Sequence, residues 1–176
     1  ILGPLEVYAG GRPLPLAGPK QRALLAILLL HPNRVVSSDR LIDELWGDDP
    51  PETGSAALQM RISGLRKALE GKGHRQAPSQ VLLTRSPGYL LRIETGHLDA
   101  ERFESLLATG RGAVASGDRA AAAQVLREAL ALWRGDALAE LAQEPFAQAE
   151  IARLEELRLA ALEERVEADL SLGRHV

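Results

Sequence analysis

The spacing of apolar residues changes several times along the chain, and these changes predict a mixture of strands and helices. Two short β-prone segments, 1–8 and 12–16, are separated by Ala9-Gly10-Gly11, which is typical of a hairpin. Residues 20–30 are apolar almost all round, which predicts a buried helix. The β-branched pair Val35-Val36 predicts a short extended segment after it.

The second and third predicted helices each carry one apolar stripe. Ser37 or Ser38 is expected to cap the second helix, and Gly47 to end it. The third helix, 55–69, has its stripe at intervals of four, three and four residues. The two stripes consist of Leu41, Ile42, Leu45 and Trp46, and of Leu58, Ile62, Leu65 and Leu69. The acidic, proline-containing segment 48–53 separates the two helices as a loop.

A hairpin is predicted after the third helix. Residues 81–84 and 89–93 are β-prone, and Pro87-Gly88 between them fits the central pair of a type II turn. An N-terminal β-sheet, three helices and a C-terminal β-hairpin wing make an α+β winged helix-turn-helix. We therefore predict this fold for the first part of the chain.

Positive charge is concentrated in the third helix and the hairpin. The whole chain has a net charge of −3, yet from Ser55 to Arg92 it has seven basic residues and one acid, Glu70. A basic helix followed by a basic hairpin is typical of a winged helix that binds a nucleic-acid backbone. A solvated charged face is the alternative for a charge run taken alone. The seven basic residues are Arg61, Arg66, Lys67, Lys72, Arg75, Arg85 and Arg92.

The second part of the chain differs in both charge and predicted structure. Residues 1–94 carry a balance of +3 and residues 95–176 a balance of −6, which indicates two domains with different partners. We place one domain at 1–94 and an all-α, tetratricopeptide-like domain at 98–176. Its expected helices cover 100–115, 119–133 and 146–172.

Small and apolar residues in this helical part have the spacing of one tetratricopeptide-type hairpin, namely Gly110, Ala122, Leu126 and Ala129. We expect Asp99 and Asp118 to cap its first two helices. Repeat arrays need about three units to be stable, so we expect the domain to be truncated at the C-terminus of this sequence.

The sequence offers no support for catalysis. The four histidines, His31, His74, His97 and His175, are scattered, and no pair has metal-ligand spacing. Neither a phosphate-binding loop nor a nucleophile elbow occurs. We therefore predict no enzyme activity, no metal and no cofactor. The chain has no cysteine, which fits a reducing cytosol, and its longest apolar run, 23–30, is too short to span a bilayer.

The sequence contains six motifs that together carry a resemblance to a known family, at residues 2–4, 18–25, 41–47, 65–69, 86–91 and 129–135. The first ninety-odd residues resemble the OmpR/PhoB-type winged helix. The whole chain resembles the N-terminal part of the actinobacterial antibiotic-regulatory activators (SARP), with the start of their bacterial transcriptional activation domain. Gly64 departs from the pattern, because relatives often have Arg there.

The resemblance implies a cytoplasmic, nucleoid-associated activator of secondary-metabolite genes that binds direct repeats in duplex DNA as a tandem dimer and recruits RNA polymerase holoenzyme. Its third helix would enter the major groove, where side chains read base edges and basic groups hold phosphates. The implied base-reading residues are Ala56, Gln59, Met60 and Ser63. The implied phosphate and wing contacts are Lys20, Arg22, Trp46, Arg61, Arg66, Lys67 and Arg85. The implied contacts with sigma region 4 are Asp48, Asp49 and Glu52.

Several alternatives stay open at this point. Met60 is either a thymine contact or a filler against a partner helix, and Trp46 is either core or a phosphate ligand. The acidic loop is either a polymerase contact or a solvated turn, and Gly64 either permits close approach to a partner or has no role. The rival functions are a winged helix used only as a protein-docking adaptor and an RNA-binding adaptor. The low number of Tyr and Phe residues, two of each, argues against base stacking on RNA.

Overall fold

The structure is a computed structural model that describes residues 1–70 and 79–173. The chain divides into two compact units. The winged unit consists of Leu5–Ile93 with Gln143–Ala147, and the helical unit consists of Ile1–Pro4, Glu94–Ala142 and Gln148–Val176. This division differs from the boundaries expected from sequence in the placement of Ile1–Pro4 and of Gln143–Ala147.

The winged unit begins with the predicted hairpin, although its strands are short. Gly10 and Gly11 both have positive φ, 56° and 76°, and connect β1 to β2. This conformation suits glycine in a two-residue hairpin loop. The elements of the unit are β1 (Tyr8–Ala9), β2 (Arg12–Pro13), α1 (Gly18–Leu29), β3 (Val35–Ser37), α2 (Ser38–Trp46), α3 (Gly54–Glu70), β4 (Leu82–Arg85) and β5 (Gly88–Leu91).

The core of the winged unit lies where α1, α2 and α3 pack together. Helix α1 is buried all round from Ala23 to Leu29, as its sequence predicts: Leu24 and Leu28 have no exposed surface. Helices α2 and α3 contribute their predicted stripes, including Leu41 and Leu65, which are also fully buried. Ser37 caps α2, because its hydroxyl accepts a hydrogen bond from the N–H of Arg40 at 3.2 Å.

Strands β3, β5 and β4 form an antiparallel sheet in that order. The wing strands are therefore confirmed, but the predicted type II turn is wrong. Arg85 pairs with Gly88, so the two strands are connected by Ser86-Pro87, which has a cis peptide bond. Gly88 is the first residue of β5, and its φ is not positive. Glycine is needed at position 88 for another reason. A Cβ there would lie 1.9 Å from the carbonyl oxygen of Val36 in β3.

The helical unit contains α4 (Asp99–Ala115), α5 (Arg119–Leu130), a 3-10 turn (Ala139–Leu141) and most of α6 (Pro145–Ser171). The predicted small positions of the α4–α5 hairpin are buried. A Cβ at Gly110 would lie 2.7 Å from Cδ2 of Leu126, so glycine allows α4 to approach α5 closely. Asp118 caps α5 as predicted, accepting the N–H of Ala121 at 2.9 Å.

The prediction of Asp99 as an N-cap is wrong. Leu98 occupies that position and makes no side-chain cap. The Asp99 carboxylate instead accepts the N–H of Leu2 at 2.9 Å and Nη2 of Arg134 at 3.1 Å. The N–H of Arg134 in turn donates to the carbonyl oxygen of Leu2 at 2.8 Å. Ile1–Pro4 are thus bound within the helical unit. The predicted strand over 1–8 is wrong except at Tyr8, where β1 begins.

Candidate nucleic-acid interface

Helix α3 has two faces of opposite character. Its buried face consists of Leu58, Ile62 and Leu65, which are at most 2% exposed. The residues predicted to lie away from this stripe are all exposed, and Met60 has 71% of its surface accessible. Within the described winged unit Met60 therefore does not fill a gap between helices. The exposed set is Ala56, Gln59, Met60, Ser63, Gly64 and Lys67.

This exposed face carries the groups that can read a base pair. Gln59 offers a carboxamide, which matches the donor and acceptor pair of adenine in the major groove. Ser63 lies one turn further along the same face, and Ala56 and Met60 provide apolar contacts suited to a thymine methyl. Arg61 and Lys67 are exposed beside these residues and place positive charge at the edges of the face.

Arg66 has a different environment from its two basic neighbours. Its Nε donates to the carbonyl oxygen of Leu82 at 2.9 Å, and its Nη2 donates to the hydroxyl of Thr84 at 2.8 Å. The guanidinium carbon also lies 5.9 Å from the ring centroid of Tyr89. Arg66 thus connects α3 to both strands of the wing.

Lys20 and Arg22 of α1 also direct their charged groups to carbonyl oxygens of the winged unit. The ammonium of Lys20 donates to the carbonyl of Leu45, and Nη2 of Arg22 donates to that of Leu5 at 2.6 Å. These contacts hold α1 against neighbouring segments. The N–H groups in the first turn of α1 have no acceptor within the helix, and such groups are donors that a phosphate can bind.

The wing presents Arg85 next to the exposed residues Ser86 and Pro87. Its base is organised by Glu70, whose Oε1 accepts the N–H groups of Gln80 and Val81, both at 2.9 Å. Sequence reasoning missed this role, because Glu70 stands out in the sequence only as the single acid of a basic stretch. Lys72 and Arg75, which belong to the predicted basic stretch, lie outside the described residues.

The acidic loop between α2 and α3 is exposed at Asp48, Asp49 and Glu52. Trp46, at the end of α2, is half-buried. The loop starts with a turn in which the N–H of Asp49 donates to the carbonyl of Trp46 at 3.2 Å.

Residues 1–70 and 79–173 contain no group of three or more His, Cys, Asp or Glu side chains placed to hold a metal ion. His74 and His175 lie outside these ranges. In the same part of the chain, none of the helices has both the length and the apolar character needed to cross a membrane.

Comparisons with known proteins identify both parts of the chain. Residues 11–91 match the family model described as the C-terminal domain of transcriptional regulatory proteins. Residues 98–176 match the model of the bacterial transcriptional activator domain. The regulatory protein AfsR of Streptomyces coelicolor is 40% identical over 176 residues, and the regulatory protein DnrI of Streptomyces peucetius is 38% identical over 178 residues.

The chain covers 17% of AfsR and 65% of DnrI, so it spans less than two thirds of these relatives. A solved structure of Mycobacterium tuberculosis EmbR, in complex with a low-affinity phosphopeptide, matches 98% of this chain and 45% of its own length. The TM-score is 0.91 at 38% identity. The chain belongs to the SARP-type family of transcriptional regulators, in which an OmpR/PhoB-type winged helix is followed by a bacterial transcriptional activator domain.

Proposed function

We propose that the protein is a sequence-specific DNA-binding transcriptional activator that works in the cytoplasm at the nucleoid. The observation that carries this proposal is the composition of the exposed α3 face. Base-reading groups lie on the face opposite the core, with exposed Arg61 and Lys67 beside them. A helix of this kind fits the major groove, where each base pair presents a distinct pattern of donors and acceptors.

The contacts divide into two kinds. Gln59, Met60 and Ser63, with Ala56, read bases, while Arg61 and Lys67 neutralise phosphates. Arg85 at the tip of the wing reaches the adjacent minor groove or its phosphates. Trp46 contributes its indole N–H to a phosphate from the accessible edge of α2.

Activation requires a second partner. We propose that two copies bind direct repeats at promoters and that the exposed loop with Asp48, Asp49 and Glu52 contacts basic surfaces of RNA polymerase holoenzyme, in sigma region 4. Carboxylates on an exposed loop steer association with a basic partner. The regulated genes are proposed to serve secondary metabolism, in line with the family.

The test separates phosphate contacts from base contacts. Arg61→Ala and Lys67→Ala should weaken binding to operator and non-operator duplexes alike, and each should reduce the slope of log K against log salt by about one unit. Gln59→Ala should instead relax preference at one base pair, at a cost of about 1–3 kcal/mol there, and leave the slope unchanged. Fluorescence anisotropy over a salt series, with operator and altered duplexes, measures the affinity and the salt slope of all three variants.

The control is Arg12→Ala, because Arg12 is exposed on β2 and its loss removes the same charge outside α3 and the wing. An unchanged salt slope in both the Arg61 and the Lys67 variants would exclude α3 as the DNA-binding helix. A protein-docking adaptor would show no preference for duplex sequence, and an RNA-binding adaptor would prefer single strands in the same titration.

A further inference from the structure

Gln21, in the first turns of α1, is buried although its side chain is polar. It has only 6% of its surface exposed. Its Oε1 accepts the N–H of Ala17, which precedes α1, at 3.1 Å. A backbone N–H needs an acceptor, so this bond fixes which end of the carboxamide is oxygen. The amide nitrogen of Gln21 therefore points away from Ala17. Within the described part of the chain, Ala17 is the hydrogen-bond partner of this carboxamide.

The amide nitrogen of Gln21 lies next to Gly64 of α3. A Cβ at position 64 would lie 3.8 Å from Nε2 of Gln21, and Gly64 itself is exposed. Gly64 belongs to the same exposed face as Gln59, Ser63 and Lys67. Because Gly64 has no side chain, none from this position covers the amide nitrogen of Gln21.

The N-terminal turn of α1 supplies further donors at the same place. Helix α1 has no side-chain cap at its N-terminus, and Pro19 is in its first turn. The first N–H groups of a helix have no acceptor within the helix, so those of Gly18 and Lys20 are available. The helix dipole favours a negative charge at this end.

We infer that the N-terminal turn of α1 and the carboxamide of Gln21 bind one DNA phosphate, and that this α1 phosphate site is open because residue 64 has no long side chain. This inference rests on the proposed function, since it requires α3 to lie against DNA. Its donors are neutral N–H groups, unlike the cations of Arg61 and Lys67. Binding at this site should therefore add affinity for every duplex sequence and leave the salt slope unaltered, because no cation replaces a counterion there.

The first experiment adds a side chain at position 64. Gly64→Leu places a neutral side chain of high helix propensity over the amide nitrogen, so it should lower affinity for operator and non-operator duplexes by about tenfold, as expected for a lost hydrogen bond to a charged group. The salt slope should stay at the wild-type value. Gly64→Ala is the matched control, because its Cβ makes an ordinary contact and leaves the site open. It should bind as the wild type does.

The second experiment locates the phosphate. Duplexes that carry a single uncharged methylphosphonate, moved one position at a time, are bound by wild type, Gly64→Leu and Gln21→Glu. Gln21→Glu keeps an acceptor for Ala17 and replaces the donor by a carboxylate. At one phosphate in each half-site, neutralisation should weaken the wild type, leave Gly64→Leu unaffected and strengthen Gln21→Glu.

Identical methylphosphonate profiles in wild type and Gly64→Leu would overturn the α1 phosphate site while leaving DNA binding intact. A protein with no salt-dependent affinity for duplex DNA would refute the proposed function instead. Thermal unfolding of Gly64→Leu at or above the wild-type temperature, expected for an exposed helical position, shows that a loss of affinity is not a loss of fold.

Discussion

Two glycines of the winged unit, Gly88 and Gly64, differ in how much the fold depends on them. Gly88 is forced by crowding, because a Cβ would collide with the backbone of β3 at Val36. Gly64 faces ordinary contact distances and no collision. The fold therefore requires the first glycine and tolerates replacement of the second.

We predict that Gly88→Ala lowers the free energy of unfolding by at least about 1–3 kcal/mol, because β3 must move away from β5. Gly64→Ala should raise it by up to about 1 kcal/mol, since alanine is the better helix former. Urea unfolding followed by circular dichroism measures both. Equal midpoints for wild type and Gly88→Ala would show that β3 moves at no cost and that close approach does not explain the glycine.

Which α3 residues are exposed could be predicted from sequence, because helical periodicity alone divides the two faces. The partners of the basic side chains could not. Lys20 and Arg22 bind carbonyl oxygens at Leu45 and Leu5, and Arg66 binds β4. These acceptors are backbone atoms or lie on other elements, so no pattern within the segment indicates them. A count of positive charges treats all these residues as equal candidates for phosphate.

Helix α3 and the wing are joined by Arg66. The planar guanidinium donates two hydrogen bonds to β4 and lies over Tyr89 of β5, which a lysine ammonium cannot reproduce. Arg66 is half-buried, and its three contacts fix the angle between α3 and the hairpin. Under the proposed function, this angle decides whether Arg85 can reach the minor groove while α3 occupies the major groove.

We predict that Arg66→Lys preserves charge but disorders the position of the wing relative to α3. The melting temperature should fall by several degrees, consistent with a loss of about 1–2 kcal/mol in a domain of this size. Minor-groove protection should be lost from a hydroxyl-radical footprint, while guanine N7 protection in the major groove remains.

Lys67→Arg is the control, because it replaces lysine by arginine, the opposite exchange, at the neighbouring basic residue, which is exposed. Loss of major- and minor-groove protection to the same extent in Arg66→Lys would mean that Arg66 acts as a phosphate ligand or supports the whole fold. Its role would then not be to join α3 to the wing.

The succession of elements was largely predictable, and the two errors at the N-terminus and at the start of α4 have a common cause. The bounds of the helices could be predicted from apolar stripes, caps and glycines, and both wing strands could be predicted as well. Ile1–Pro4 and Asp99 were misassigned because the N–H of Leu2 binds a carboxylate that is distant in sequence. A short β-prone segment and an aspartate before a helix have strong local signals, and a tertiary contact overrides both.

For the whole molecule, the charges of the two parts differ in sign, and the proposed DNA-binding face belongs to the positive one. If two copies bind direct repeats, insertion of each α3 into the major groove places the copies on one side of the duplex when half-sites are about one helical turn apart. Inserting about 5 base pairs should abolish cooperative binding, and inserting about 10 should restore part of it. Gel-shift titrations of the spacer series measure this. Equal cooperativity at every spacing would exclude tandem assembly on one face.

We expect the acidic loop to affect activation and not DNA binding. Replacing Asp48, Asp49 and Glu52 by Ala removes three exposed negative charges without touching α3. Affinity for the operator should hold or rise slightly, because less negative charge approaches the phosphates. Transcription in a reconstituted system should fall if these carboxylates steer a basic polymerase surface. The deficit should lie mainly in the association rate and should be largest at low salt, where exposed charges are least screened.

The measurement is promoter-bound polymerase against salt, with the operator saturated by the protein. The control replaces three exposed glutamates of α6, Glu156, Glu163 and Glu167, by Ala, which removes the same charge from the helical unit. A loss of activation confined to the loop variant supports the loop as the polymerase contact. Full activation by the loop variant, together with a deficit in the α6 variant, would remove the loop from the mechanism and assign the contact to the helical domain at 98–176.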